Sequence, residues 1–314
     1  MGKASRTKVD SSRREKIAAQ RAAERRAEQR RRILIASGSI IAVIAVVVAF
    51  IVVKANSKPP SGSSSNGPTG AALSSVVSKV TSVPASTLDK VGDGGGQVTA
   101  KPKAVTGGTP LTANGKPEML YMGAEYCPFC AAERWSMIVA LSRFGTFSGL
   151  STVHSASVNG AGTAEPYPNT PTFTFHGSTY TSKYLTFTPV ETETNVPDKT
   201  TGGYTTLEKP TSAQQALLAK YDVPPYVPAG SNGAIPFIYF GGKAIISGAS
   251  YSPQVLAGLS WDKIASDLSN PNSPVAKAIN GTANYITAAI CKMTGNQPAS
   301  ACTATIQSLE SQIK

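Results

Sequence analysis

Between Ile33 and Val53 the chain runs 21 residues without a charge, and Lys54 closes the run. At about 1.5 Å per helical residue this spans the roughly 30 Å hydrocarbon core of a bilayer, which predicts a transmembrane helix over 33–53. A cleaved signal needs only about 7 to 15 apolar residues and a small-residue cleavage site, which Lys54-Ala55-Asn56-Ser57 does not offer. No cysteine lies nearby to take a lipid, so the run reads as an uncleaved anchor. Residues 54–72 are rich in Ser, Pro and Gly and too poor in apolar side chains to fold, which predicts a flexible linker.

Past the linker the pattern becomes globular. Leu73, Val76, Val77 and Val80 recur at helical spacing, and a Gly-rich loop follows around Asp93 to Gly96. Glu118 to Gly123 reads as a buried strand running directly into Cys127. From Cys130 to Phe144 the apolar residues Ala131, Trp135, Ile138, Val139 and Leu141 fall mostly on one helical stripe. A second strand is expected over Ser151 to Val158. Alternation in TFTFHG and KYLTFTPV predicts strands or ordered loop, not helix, over about 160–210. A helix is expected at Ser212 to Tyr221, then a strand at Ile235 to Phe240, a turn at Gly241-Gly242 and a returning strand at Lys243 to Ser247. Helices should follow at Ser252 to Leu268, at Pro274 to Met293 and after Ala301. Strands mixed with helices indicate an α/β layered domain over 73–314, with a helical C-terminal part from about 272.

Charge decides the topology. The formal net charge is +12, but residues 1–32 hold twelve Lys or Arg against four Asp or Glu, so the excess is concentrated beside the apolar run. A basic balance ordinarily raises nucleic acid as a partner; placed here it points to a lipid bilayer instead. Arg30, Arg31 and Arg32 abut the span while a neutral stretch follows it, which predicts a cytoplasmic N-terminal tail and an extracytoplasmic domain. The tail reads as a solvated topogenic segment, with anionic lipid or a cytoplasmic partner as the sharper alternative. All four cysteines, at 127, 130, 291 and 302, then lie where disulfides persist.

A C-x-x-C where a strand feeds a helix suits redox chemistry. The spacing lets both sulfurs meet across the first helical turn. Cys127 there would face unpaired N–H groups and the positive end of the helix dipole, both of which favour thiolate. Pro128 fits the first turn, where its missing N–H is not needed. Cys127 is thus the candidate nucleophile and Cys130 the resolving thiol. A zinc half-site, an inert disulfide and chance remain open. Against zinc, Cys291 and Cys302 are eleven positions apart, and only His154 and His176 offer nitrogen. Neither a metal nor a cofactor is expected.

Two stretches resemble the thioredoxin superfamily. Ala124-Glu125-Tyr126-Cys127-Pro128-Phe129-Cys130 is similar to its active-site stretch, with an aromatic before the first cysteine. Ile235-Pro236-Phe237-Ile238-Tyr239-Phe240-Gly241-Gly242-Lys243 is similar to its cis-proline strand and hairpin. The resemblance implies that Pro236 is cis and lies beside Cys127, with Ile235 next to it pairing to a substrate peptide. From about Val83 onward the chain also resembles a membrane-anchored family of actinobacteria and archaea, a domain of unknown function (DUF929). GAEYCPFCAAERW, ALSRFGTFSGL and SKYLTFTPVE carry that likeness. It implies no particular substrate.

Together these imply a thioredoxin-like fold with a β- and loop-rich insertion at about 160–210 and C-terminal helices. The insertion is inferred because 105 residues lie between Cys130 and Pro236. One departure concerns proton transfer. Thioredoxins often bury a carboxylate six residues before the first cysteine, and Tyr121 stands there, leaving Glu125 and Glu118 as weaker acceptors. Arg134, one turn beyond Cys130, either lends positive potential to the site or occupies a solvated helix face.

The expected function is a thiol-disulfide oxidoreductase, leaning to oxidation or isomerisation. Its partners would be cysteine-containing exported proteins and a membrane or extracytoplasmic redox protein that recycles the site. The alternatives are a non-catalytic module that binds peptides or partners, and a zinc-stabilised scaffold. Cys291 and Cys302 bracket a loop between two helices and read as a structural staple, with a second redox pair as the alternative. Asn280-Gly281-Thr282 matches a glycosylation acceptor, a common chance match.

Overall fold

The structure, a computed structural model, describes residues 67–314. The basic tail, the apolar span and most of the linker lie outside the described residues. Among the described residues no helix is long and apolar enough to cross a membrane.

The helices are α1 (Gly70–Thr81), α2 (Ala85–Val91), α3 (Pro128–Leu141), α4 (Ser212–Tyr221), α5 (Trp261–Asp267), α6 (Pro274–Thr294) and α7 (Ala304–Glu310). The strands are β1 (Lys103–Ala104), β2 (Thr112–Ala113), β3 (Lys116–Gly123), β4 (Gly145–Ser148), β5 (Ser151–His154) and β6 (Pro171–Thr174). They continue with β7 (Thr179–Ser182), β8 (Thr186–Glu191), β9 (Glu193–Pro197), β10 (Tyr204–Thr206), β11 (Phe237–Phe240) and β12 (Ala244–Ser247).

A six-stranded mixed sheet organises this α/β domain, running β1-β12-β11-β3, with β2 and β8 both pairing β3. β3 and β8 are parallel, in a register that sets Gly123 opposite Glu191. The other pairings are antiparallel, with Phe237 opposite Met122 and Phe240 opposite Met119. β3 is buried from Met119 to Gly123, as a strand covered on both faces must be.

Strand alternation divides the core. Met119, Tyr121, Ile238, Phe240, Ala244 and Ile246 face a large cluster with Trp135 of α3 and Ile286 of α6. Their neighbours Leu120, Met122, Phe237, Tyr239 and Ile245 face a second cluster with Leu217 and Tyr221 of α4. Helices therefore cover both faces. Trp135 is among the largest fully buried side chains, and its Nε1 donates to the Pro171 carbonyl at 2.8 Å. Truncating it to Ala would cost about 3–5 kcal/mol.

Local rules set the helix ends. Thr211 and Gln214 form a reciprocal capping box on α4. Ser273 caps α6, with Pro274 at its first position, and Gly295 ends it at φ 64°. The Gly241-Gly242 turn joins β11 to β12 with φ 56° and 87°, a region that disfavours any side chain.

Several expectations are revised. The single helix over 252–268 is a 3₁₀ turn, Pro253–Leu256, and then α5, which Ser260 caps by accepting the Lys263 N–H. The intervening Gly258 has φ 68°, which helix cannot use. The strand expected over 151–158 stops at His154 and pairs with β6 outside the main sheet. Helix α1 starts inside the expected linker, and Pro68 just before it accepts a hydrogen bond from Thr152. Asn280 is fully buried and donates to the Leu268 carbonyl, so the glycosylation match is core packing. Beside it, a Cβ on Gly281 would come 2.6 Å from the Gly94 Cα, so the Gly-rich loop and α6 meet backbone to backbone.

Candidate functional site

β3 ends at Gly123, and four residues later Cys127 caps α3 with an extended backbone. Its Sγ accepts the Cys130 N–H at 3.3 Å, one of the amides that a helix N-terminus leaves without an internal partner. Pro128 takes the first helical position. Both thiols are unbridged and buried. Cys127 is 3.8 Å from the Ile235 carbonyl, and the Ile235-Pro236 bond is cis. Residues 108 positions apart in sequence thus meet where β3 and β11 run side by side.

The two sulfurs differ electrostatically. A hydrogen bond from the Cys130 thiol holds the Cys127 thiol below its ordinary value, against the opposing effect of burial, and the Cys130 amide and Arg134 add to it. Burial pushes the Cys130 thiol well up, and the neighbouring Cys127 pushes it further. The geometry therefore provides one sulfur that ionises readily and one that keeps its proton.

Under this pair lies a charge that the apolar stripe concealed. Every residue of α3 from Cys130 to Leu141 is buried, because β6, the main sheet, α1 and α6 enclose it. Arg134 is not on a solvated face. It is fully buried, with Nε and Nη2 gripping the Glu191 carboxylate of β8 at 2.8 and 2.7 Å. Nη2 also donates at 2.6 Å to the Ala124 carbonyl, which accepts the Cys127 N–H as well. Burial works against the guanidinium charge, but Glu191, with Tyr121 and Cys130 adding to it, holds Arg134 well above its ordinary value. Tyr121, six residues before Cys127, is fully buried, with its hydroxyl unpartnered and burial pushing its ionisation well up. A Cβ on Gly123 would overlap that hydroxyl and come 3.1 Å from Cys130 Sγ, so phenol and thiol are neighbours.

Of the candidate acceptors, Glu118 sits at the far end of β3 and takes a hydrogen bond from Thr188. Glu125 is buried beside the cysteines, its N–H donating to the Glu193 carbonyl at 2.9 Å. Two further buried carboxylates, Glu191 and Glu133, escaped the sequence reading. Glu133 is fully enclosed with both oxygens on Ser250, and burial pushes it up to about 7 against those hydrogen bonds.

The segments between α3 and α4 also hold the approach to Cys127, which nothing in their composition announced. The Ala156 N–H donates to the Tyr126 carbonyl at 2.9 Å, and the Tyr126 ring stacks on Tyr204 with centroids 4.1 Å apart. Phe129 is 36% exposed and meets Tyr167 edge to face at 5.8 Å. Backbone hydrogen bonds, the Arg134 guanidinium and the stacked Tyr204 ring thus fix three consecutive residues, Ala124, Glu125 and Tyr126.

The remaining candidates lie elsewhere. Cys291 and Cys302 are bridged between α6 and α7. His154 packs edge-on against Trp261, and His176 pairs with Glu208 at 2.6 Å. Among the described residues no group of three or more His, Cys, Asp or Glu is placed to hold a metal.

No curated protein and no solved structure matches the chain. Residues 103–292, more than half of the chain and the stretch that holds Cys127, Cys130, Glu191 and Pro236, match the family described as Domain of unknown function (DUF929), and the chain belongs to that family.

Proposed function

We propose that this protein is a thiol-disulfide oxidoreductase of thioredoxin-like fold, anchored by residues 33–53 and acting on exported cysteine-containing proteins. One observation carries the reading: a helix-capping Cys127 lies 3.8 Å from the carbonyl of a cis Ile235-Pro236 bond, with Cys130 buried one turn behind it. The order β8-β3-β11-β12, with β8 parallel to β3 and the next two antiparallel, supports the thioredoxin-like assignment.

In the oxidising direction a client thiolate attacks Cys127 Sγ of the bridged site, forming a mixed disulfide and releasing Cys130 as thiolate. A second client thiolate then attacks the client sulfur, closing the client disulfide and expelling Cys127. Two electrons pass from client to site, and the site returns to the bridged form by passing them to a disulfide of a recycling redox protein. The direction follows from Cys127, whose readily formed thiolate stabilises the reduced site and makes its disulfide a better oxidant.

Trapping tests the proposal. In a full-length Cys130→Ser variant Cys127 can still open a client disulfide, but no Cys130 thiol is present to displace the client from it, so mixed disulfides should accumulate and disappear on adding dithiothreitol. A wild-type protein that neither exchanges with glutathione nor traps any client as the Cys130→Ser variant would support a non-catalytic binding module instead.

A further inference from the structure

We infer that Arg134, clamped by Glu191, is the positioning residue that poises this site as an oxidant; the inference rests on the thiol-disulfide reading above. Arg134 stands four residues beyond Cys130, so the two share a helix face. Glu191 and the Ala124 carbonyl occupy its Nε and Nη2. Its Nη1 is buried and unpartnered, as is the Tyr121 hydroxyl beside Cys130. Buried donors left unspent are uncommon in native proteins. Here the Tyr121 hydroxyl lies beside Cys130, where negative charge appears when the bridge opens, and the Arg134 guanidinium stands 6.0 Å from the centroid of that same ring.

Reduction takes two electrons from the client and, with Cys127 left as thiolate, one proton, which goes to Cys130. A fixed positive charge in a water-excluded setting favours that product over the uncharged disulfide. The same guanidinium ties down the carbonyl that receives the Cys127 N–H, so charge and backbone aim are set together. The other groups that face or approach the thiols are Tyr121 from β3 and Tyr126 from the preceding loop. Glu191 of β8 stands behind Arg134, and Glu193 and Glu165 stand behind Tyr126.

The test compares full-length wild type in detergent with Arg134→Met/Glu191→Leu, which removes both charges and leaves no orphan ion. Two quantities are read: the pH midpoint of Cys127 alkylation, by mass spectrometry, and the reduction potential in glutathione buffers. In the double variant alkylation at pH 6 should slow about tenfold and the midpoint should rise. The potential should fall by about 30 mV, the equivalent of tenfold in a two-electron couple. Arg134→Lys with Glu191 kept should hold the midpoint near wild type. If the apolar pair does not fold, Arg134→Gln/Glu191→Gln gives the same comparison. A folded, charge-free variant with midpoint and potential both unchanged overturns the inference and leaves Arg134 merely structural. Should the wild type not exchange with glutathione, the oxidoreductase reading fails, while the alkylation midpoint still reports whether Arg134 controls the thiol.

Discussion

Both cysteine pairs of this protein are buried and both sit at helix ends, yet one is a bridge and the other a poised pair of thiols. Cys291 lies in the last turn of α6, where carbonyl oxygens and the negative end of the dipole disfavour thiolate. Cys302 meets it from just before α7, among Ala301, Ile306 and Leu309. At the other pair the helix presents its N-terminus, a peptide carbonyl stands beside Cys127, and a buried guanidinium lies beneath. Burial alone therefore does not decide what a cysteine pair does. The two pairs differ in the end of the helix they meet and in the charge beneath them.

The largest expected effect breaks the symmetry of burial. Replacing Cys291 and Cys302 with Ser should cost about 3 kcal/mol on the loop-entropy account, or about 6–12 °C in Tm, while disulfide exchange at Cys127 continues. Loss of exchange in a folded variant would make the bridge a relay. The next effect sharpens the difference between the sulfurs. In the reduced protein at pH 6, iodoacetamide should label Cys127 about 100-fold faster than Cys130, as read by peptide mass spectrometry. Equal labelling would contradict the helix-terminus argument.

Glu133 separates the two regions by pH. Its folded value of about 7 lies above the ordinary carboxyl near 4.5, so the folded state holds the proton more tightly. Its contribution is complete below about pH 4.5 and is lost as pH rises through 7. Between pH 8 and pH 5 the wild type should gain about 2 kcal/mol of unfolding free energy relative to Glu133→Gln in urea titrations. Parallel pH profiles would rule out a neutral Glu133. The smallest effect concerns the clamp. Tyr204→Ala removes the stacking partner of Tyr126 and should raise KM for a client about fivefold, leaving the Cys127 alkylation midpoint in place. A shifted midpoint would show that the ring sets the thiol and not the approach to it.

Much of this architecture is legible in the sequence. The run into Cys127, the hairpin around Gly241-Gly242 and the long helix from Pro274 follow from period, turn residues and caps. The β-rich character of 160–210 was legible too, since β6 to β10 fall there without a helix. The pairing partners were not. Arg134 and Glu191 are 57 residues apart, and a single arginine on a helix reads as solvated unless its carboxylate is known to arrive from another strand. Glu133 and Ser136 are further polar residues on a helix that is buried all the way from Cys130 to Leu141. Tyr204 and Ala156 gave no signal at all, because one acts by stacking on a neighbour and the other through its backbone N–H.

The enclosure of α3 has a dynamic consequence. A helix with no solvent face from Cys130 to Leu141 cannot fray inward from its middle, and the amide hydrogens of that stretch are released only by the rarest, most global openings. Ala131 to Leu141 should therefore be among the slowest-exchanging amides of the domain in deuterium, slower than the aromatic-clamped loops that precede and flank Cys127. The helix that carries Cys130 then behaves as a rigid anvil. Any adjustment around the two thiols falls to the segments of Tyr126, Tyr167 and Tyr204 beside it.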